Sequence, residues 1–449
     1  MSAWLETIRR KRLAVMGAGV GLLLAVWVFS SLFVPHGDLI VETIRNQGYP
    51  ASLAELDAWY PSVPPGENAA LVYTNAFALL TNLAGPNTSI ISALPPIGQG
   101  LSADDESELK DVLADNQAAL RLIYSAPTYG RSRYPVCLGD GYNVRLLHLA
   151  KTKEAVTLLS AEGLMHATHG DAEKAAQAFL AASRVAESLG DEPTVVSQWW
   201  RYDDCAILLP RLERALSLTT FTDSQLASLQ KMLEAAERPR AMARAMAFAR
   251  VGGLNAMTDR KAMGMGLQRQ GWNPQVAESW IWTALGLLRA TGMQGKDKAF
   301  YADTMARHIA ALELPYPARA AAGKQAAALT NAPNRFCFFS QWLLPAMVVV
   351  HVRDANHVAH VRVAAAALGI ERFRLAHTNA LPGSLERLAP IFCATVPRDP
   401  FDGEPLRYKT HGASYAVYSI GSNGRDDGGV VWDSKFTKVP QDVVWVAKH

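Results

Sequence analysis

The sequence predicts a mainly α-helical chain with a transmembrane helix at its N-terminus and a small α+β module of short antiparallel strands at its C-terminus. Three observations predict it: an uncharged run near the start, long Ala- and Leu-rich stretches with helical spacing through the middle, and a change to period-two alternation between Gly-marked turns near the end. Of the 449 residues, 49% are hydrophobic and 19% charged, which is enough apolar material to offset the entropy of ordering the chain, so wholesale disorder is excluded. Lys and Arg total 44 against 41 Asp and Glu, a balance of +3, and no basic run occurs beyond the first dozen positions. Nucleic acid is therefore not an expected partner.

From Leu13 to Val34 the chain runs for 22 residues without a charged side chain. As a helix rising ~1.5 Å per residue, that run matches the thickness of a bilayer core. Arg9, Arg10, Lys11 and Arg12 crowd its N-terminal flank and Asp38 follows it, so positive-inside bias puts the N-terminus in the cytoplasm and exports everything from residue 35 onward. A cleaved signal peptide has a shorter apolar core, about 7 to 15 residues, followed by a small-x-small site. The core here is longer and Ser30-Ser31-Leu32-Phe33 is a poor cleavage site, so a single-pass anchor is expected. Gly17 and Gly21 have the G-x-x-x-G spacing that lets two spans approach closely. In an oxidising compartment Cys137, Cys205, Cys337 and Cys393 could form disulfides in any of three connectivities, or each could be a small buried hydrophobe; spacing does not decide. No C-x-x-C occurs, so neither a zinc knuckle nor a thioredoxin-type site is written here.

These features divide the chain into an anchor (1–34), an extracytoplasmic helical domain (35–335) and a C-terminal helix with a small β module (336–449). In the helical domain, Ser52 and Glu55 have capping-box spacing and open a short helix that Tyr60 to Gly66 stops. Helical patterns resume over 67–82 and 104–125, and dominate from 143 to 330. Between Glu162 and Phe179 the chain resembles the hairpin of a tetratricopeptide repeat: a Gly170-Asp171 turn, then small residues where the second helix meets the first, then Phe179 as a core plug. No second copy follows at the ~34-residue period of an array, so a helical layer is expected rather than a repeat domain.

The C-terminal order is a helix from Val363 to Arg374, Leu381-Pro382-Gly383, then Asp399-Pro400-Phe401-Asp402-Gly403, a Tyr-bearing hairpin around Tyr408 and Tyr415, Ser419-Ile420-Gly421-Ser422-Asn423-Gly424, and a closing Asp442-Val443-Val444-Trp445. This order resembles the globular part of the type II secretion major pseudopilin. The resemblance implies a calcium-binding loop, whose candidates are Asn423, Asp426, Asp427 and Asp433, with a solvated acidic turn as the alternative. A pseudopilin also starts with a short basic leader, a cleavage site and a Glu early in its apolar helix; none of these occurs here, so the chain is not itself a pilin. Taken with the anchor, the Gly48-Tyr49-Pro50-Ala51-Ser52-Leu53 segment and the Ala-rich middle, the whole chain resembles large membrane-anchored envelope proteins of planctomycete and verrucomicrobial bacteria. That resemblance implies an inner-membrane location with a periplasmic body and contacts to other envelope proteins; it implies no activity.

Two clusters could carry chemistry. Trp199-Trp200-Arg201-Tyr202-Asp203-Asp204-Cys205 is the densest polar-aromatic run in the helical domain. Arg201, Asp203 and Asp204 are the catalytic candidates if the protein is an exported hydrolase or metal-dependent enzyme, with His166 or His169 as helpers. Adjacent residues on a helix diverge by about 100°, so Asp203 and Asp204 cannot share a proton, and packing aromatics around one buried Arg/Asp pair is the expected arrangement. His351, Asp354, His357 and His360 step by three along a helix, a spacing that drifts by roughly 60° per step and cannot converge four ligands, so an ordinary polar helix face is expected. Nucleophile-elbow, zincin and Walker motifs are absent. The sequence thus favours a non-enzymatic, membrane-anchored scaffold, possible calcium its only candidate cofactor.

Overall fold

A computed structural model describes residues 37–81, 94–126, 129–259, 291–330, 337–430 and 441–448, with the isolated positions 21, 83, 92 and 286. The expected anchor, apart from Gly21, and the loop residue Asp433 lie outside the described residues. Among the described residues no helix is long and apolar enough to cross a membrane. The chain is mainly helical and ends in a three-stranded antiparallel sheet.

Local chemistry sets the first helices. Between α1 (Gly37–Asn46) and α2 (Leu53–Trp59) the expected capping box does not form: Ser52 makes no side-chain cap, and Glu55 accepts from the Ala51 N–H at 2.8 Å, one residue before the cap position, while binding Arg45. The ion pair with Arg45 holds the carboxylate on the α1 side. Asn68 caps α3 (Ala69–Leu79) through the Ala70 N–H. The helix expected over 104–125 is two, α4 (Ala103–Asp115) and α5 (Gln117–Ser125), because the fully buried Asn116 side chain accepts from the Thr81 N–H and donates to the Thr81 and Val112 carbonyls. A polar side chain that competes for backbone partners in this way breaks a helix.

The body is built of helices packed on one another. α6 (His148–Thr168) and α7 (Ala172–Glu187) form the expected hairpin across Gly170, at φ +75°, with Asp171 capping α7 through the Lys174 N–H. Gly163 lets the Phe179 ring come within 3.0 Å of where a Cβ would stand, so the two helices approach at the plug. α8 (Val195–Leu218) packs on both, and α9 (Asp223–Ala236) follows behind a Thr222/Gln225 capping box. α10 (Ala241–Ala256), α11 (Met293–Glu313), α12 (Ala318–Thr330) and the short α13 (Phe338–Leu343) follow.

The spine is α14 (Pro345–Ala376), 32 residues and therefore roughly 48 Å long at ~1.5 Å per residue. Its Val363–Leu368 stretch is buried on every side, which suits the small Ala side chains there: α9 and α12 pack against the helix and the sheet lies on its C-terminal half. β1 (Arg407–His411), β2 (Ser414–Ser419) and β3 (Val443–Ala447) lie in the order β1-β2-β3, with Arg407 opposite Tyr418 and Val417 opposite Trp445. Alternation puts Tyr415, Val417, Val443, Trp445 and Ala447 inward. The hairpin turn is at Gly412-Ala413, and the Asp402-Gly403 turn lies before β1. One hydrophobic core runs from Ala69 through α14 to Ala447, so body and sheet share it across residue 336.

The outer edge of β3 is held by the body: the Val446 N–H donates to Glu213 Oε1 of α8 at 2.7 Å. Burial pushes the Glu213 carboxyl from its ordinary 4.5 up to about 6, against the opposing pull of Val446 and Arg214. An acid whose pKa is raised by folding costs nothing below its unfolded value, and its penalty grows as pH rises to the folded value. Glu213→Gln, whose amide oxygen still accepts from Val446, should therefore flatten the stability profile between pH 4.5 and 6 and be more stable at pH 7 by up to about 2 kcal/mol. Urea unfolding at three pH values checks this; parallel profiles for the two proteins would refute it.

Candidate functional site

Helical geometry sends Arg201, Asp203 and Asp204 out of α8 in three directions. Arg201 points inward and is fully buried, its Nη1 donating to Glu187 Oε1 and to the Ala236 carbonyl, each at 2.8 Å, and its Nε to Gln198 Oε1 at 3.0 Å. Glu187 also binds Arg238 at 2.7 Å. Asp203 is exposed and accepts from Arg353 Nη2 at 2.7 Å; the same guanidinium lies 4.8 Å over the Trp199 ring. The expected buried Arg/Asp pair is thus a buried Arg/Glu pair, because Arg201 faces the C-terminal end of α7 rather than its own helix.

Asp204 is fully buried and neither carboxylate oxygen has a hydrogen-bond partner; the neighbouring Thr152 hydroxyl donates instead to the Leu149 carbonyl at 2.7 Å. Burial pushes its pKa well above the ordinary carboxylate range. Burial disfavours the ionised form, so ionising it costs stability as pH rises above the unfolded value. Asp204→Asn should gain on the wild type between pH 4 and 7, ending about 1–3 kcal/mol ahead. Equal slopes against pH in guanidinium titrations would sink this account. His166 and His169 do not join the cluster: their contacts are with Glu162, the Met165 carbonyl and Glu106.

Three of the four polar steps along α14, His351, Asp354 and His357, do not face solvent as expected; residues of α8, α11, α12 and the segments between them cover them. Asp354 is the hub. Its Oδ1 accepts from the Tyr202 hydroxyl at 2.7 Å, and its Oδ2 accepts from the Tyr316 hydroxyl at 2.6 Å and from Arg319 Nη1 at 3.0 Å. Arg319 in turn donates to the Leu314 and Pro239 carbonyls. One turn away, His351 Nε2 meets His308 Nδ1 at 2.8 Å, and His308 Nε2 meets the Thr330 hydroxyl at 2.9 Å. Burial pushes both imidazoles down to about 4, so at neutral pH one ring nitrogen donates to the other. His357 stacks on Tyr202 at 4.1 Å and contacts the Ala236 carbonyl, while His360 is exposed. The four residues go to different partners, and among the described residues no group of three or more His, Cys, Asp or Glu could hold a metal ion.

Tyr316 also forms part of the wall of a cavity of about 630 Å³ between α9, α14 and residues 393–398. Its charged groups are engaged: Arg362 binds Glu237 at 3.0 Å and the Arg398 carbonyl at 3.0 Å, and Arg398 binds the Gly403 carbonyl at 2.8 Å. The thiol on its wall, Cys393, is pushed up to about 11 by burial, which disfavours the thiolate at neutral pH. This cavity can receive a polar group; it does not present an activated base and nucleophile together. No two of the four cysteines are bonded: Cys205, Cys337 and Cys393 are buried, and Cys137 is exposed.

In the C-terminal loop Asn423 and Asp427 do meet, at 2.9 Å, and Asp427 also accepts from the Gln441 N–H. Asp426 accepts from the Gly428 N–H, and Asp442 accepts from the N–H groups of Asp427 and Gly429. These carboxylates close the loop by taking backbone donors, whereas a hard cation needs several oxygens turned on one point. The described donors do not fit calcium.

Sequence reading missed Glu187, His308, Tyr316 and Arg319, which hold the buried network. The one available signal was Pro315-Tyr316-Pro317, which marks the break between α11 and α12 and so puts a tyrosine at a helix junction. No known protein family, no curated protein and no solved structure matches this chain.

Proposed function

We propose that this chain is a non-enzymatic, single-pass membrane protein of the bacterial envelope, with its N-terminus in the cytoplasm and its body in the periplasm. There it scaffolds other envelope proteins, in a secretion or pilus-like assembly. The observation that carries this reading is the placement of the candidate catalytic groups. Arg201 is fully buried and held by Glu187, Gln198 and the Ala236 carbonyl, Asp203 is tied to Arg353 at the surface, and Asp204 is sealed inside, so they share no cleft. The build supports it as well: a repeat-like hairpin and a pseudopilin-like sheet sit on one core, and among the described residues no strand pairs with the outer edge of β1. An open edge is a ready surface for an extended segment of a partner.

The test is cross-linking in intact cells from a photoreactive residue at Lys409 on β1, followed by purification of the full-length protein from solubilised membranes. Pilin-like or secretion-machine subunits should come with it, and should still do so in Asp203→Ala. Recovery of the protein alone would overturn the scaffold reading and return attention to an exported enzyme.

A further inference from the structure

The fold buries an arginine that it does not neutralise. Arg250 of α10 is fully buried, its Nη1 donates to Gln47 Oε1 at 2.9 Å, and its guanidinium lies 5.4 Å from the Tyr49 ring centre. Its Nε and Nη2 have no hydrogen-bond partner. Of the four other buried arginines among the described residues, Arg201 has Glu187, Arg319 has Asp354 and Arg374 has Glu371, while Arg211 donates to the Ile207 carbonyl. Around Arg250 the acids are engaged elsewhere, Glu313 by the Tyr49 hydroxyl and the exposed Asp303 by Arg307 at 2.9 Å. Burial lowers the guanidinium to about 10, which leaves it charged at neutral pH. A buried charge without a counter-ion is strongly destabilising, so a site of this kind calls for an anion.

The unpaired edge has a shape. Nε–H and Nη2–H point in parallel from one side of the guanidinium and together match the two oxygens of a carboxylate. Arg250 lines a cavity of about 190 Å³ between α1 and α11. Ile40 and Ile44 of α1 form one wall, and Ala299, Ala302 and Ala306, on one face of α11, form the other together with Asp303, whose carboxylate is paired with Arg307. Leu39, 56% exposed, stands at the mouth. The space equals about six water volumes of ~30 Å³, enough for a carboxylate and a few methylene groups.

We propose that this cavity binds the anionic head of an alkyl-chain ligand, a fatty carboxylate held two-pronged by Arg250, with its chain running between Ile40 and the α11 alanines and leaving past Leu39. A free fatty acid and an anionic lipid share this chemistry. The site is independent of the scaffold reading, and failure of either leaves the other standing.

The test uses the full-length protein in nonionic detergent, with sodium octanoate as the probe. At a hundredfold excess over its Kd, octanoate should raise Tm by about 2–3 °C, while octanol, which lacks the charge, and acetate, which lacks the chain, do much less. Arg250→Gln should weaken octanoate binding by about tenfold to a hundredfold. Ala306→Leu, which fills the cavity and keeps the arginine, should weaken it comparably, so the inference does not hang on one variant. No response to octanoate, an equal response to octanol, or unchanged affinity in both variants would overturn it. Native mass spectrometry of protein purified from membranes separates the sources: an added mass of a fatty acid or of a phospholipid, lost in Arg250→Gln, identifies the occupant, and one retained in that variant counts against the site.

Discussion

Asp354→Ala should lower the free energy of unfolding by about 3–5 kcal/mol, among the largest losses from any single substitution in the body. The carboxylate accepts from two tyrosine hydroxyls and one guanidinium, and its side chain and that of Arg319 are each only 5% exposed. Removing it strands a buried cation as well as two hydroxyls, and the stranded groups, rather than the lost attraction, set the size of the effect. The same logic says how to reverse it. A double variant, Asp354→Leu with Arg319→Met, removes both charges and should recover most of the loss, because a buried pair exchanged for apolar groups of similar size is close to neutral. Asp354→Asn should fall between, since one amide oxygen can still accept but the NH₂ opposes a donor. Denaturant titrations of the three variants provide the measurement. A loss below about 1 kcal/mol for Asp354→Ala, or no recovery in the double variant, would show that the network is ornamental.

That hub also marks where reading from sequence stops. The helical body was legible because Leu146, Leu149, Val156 and Leu159 repeat at helical spacing, and the strands because Tyr415, Val417 and Ser419 alternate; both are periodicities within one element. The hairpin was legible from Gly170 and Asp171, since a turn and a cap act over four residues. The partner of Arg201 was not legible. Glu187 is 14 residues away on another helix, and no local pattern tells it from Asp203 or Asp204. Neither could periodicity show that the His351 to His357 face is covered, because α11, α12 and the break between them, which supply His308, Arg319 and Tyr316, reach it only in the folded chain. The break at Asn116 failed for the same reason: its cause is Thr81, 35 residues upstream. Sites made of single residues from several helices, Arg250 among them, leave no signature in one dimension.

The C-terminal module rests on a different buried carboxylate, and its loss should be as severe. Asp399 is fully buried. Its Oδ1 accepts from the Phe401 N–H and the Ser419 hydroxyl, and its Oδ2 from the Ile420 N–H and Arg407, all at 2.9 Å. One side chain thus pins the turn before β1 to the end of β2, which gives the Asp399-Pro400-Phe401-Asp402-Gly403 and Ser419-Ile420-Gly421 segments a common physical purpose. Asp399→Ala leaves one buried and one half-buried backbone donor unpaired, with the buried Ser419 hydroxyl, and should cost about 3–5 kcal/mol. Asp399→Asn should do little better, because its NH₂ must face one pair of donors. The loss should also be local: hydrogen exchange at Phe401 and Ile420 should accelerate far more than at Phe179 in the helical hairpin. Gly421→Ala attacks the same joint by another route, since at φ +67° a Cβ there would stand 1.9 Å from the Gln441 carbonyl oxygen, and it should produce the same exchange pattern. If Asp399→Ala instead unfolds α6 and α7 in step with the sheet, body and module form a single cooperative unit, and the shared core along α14 outweighs the joint at Asp399.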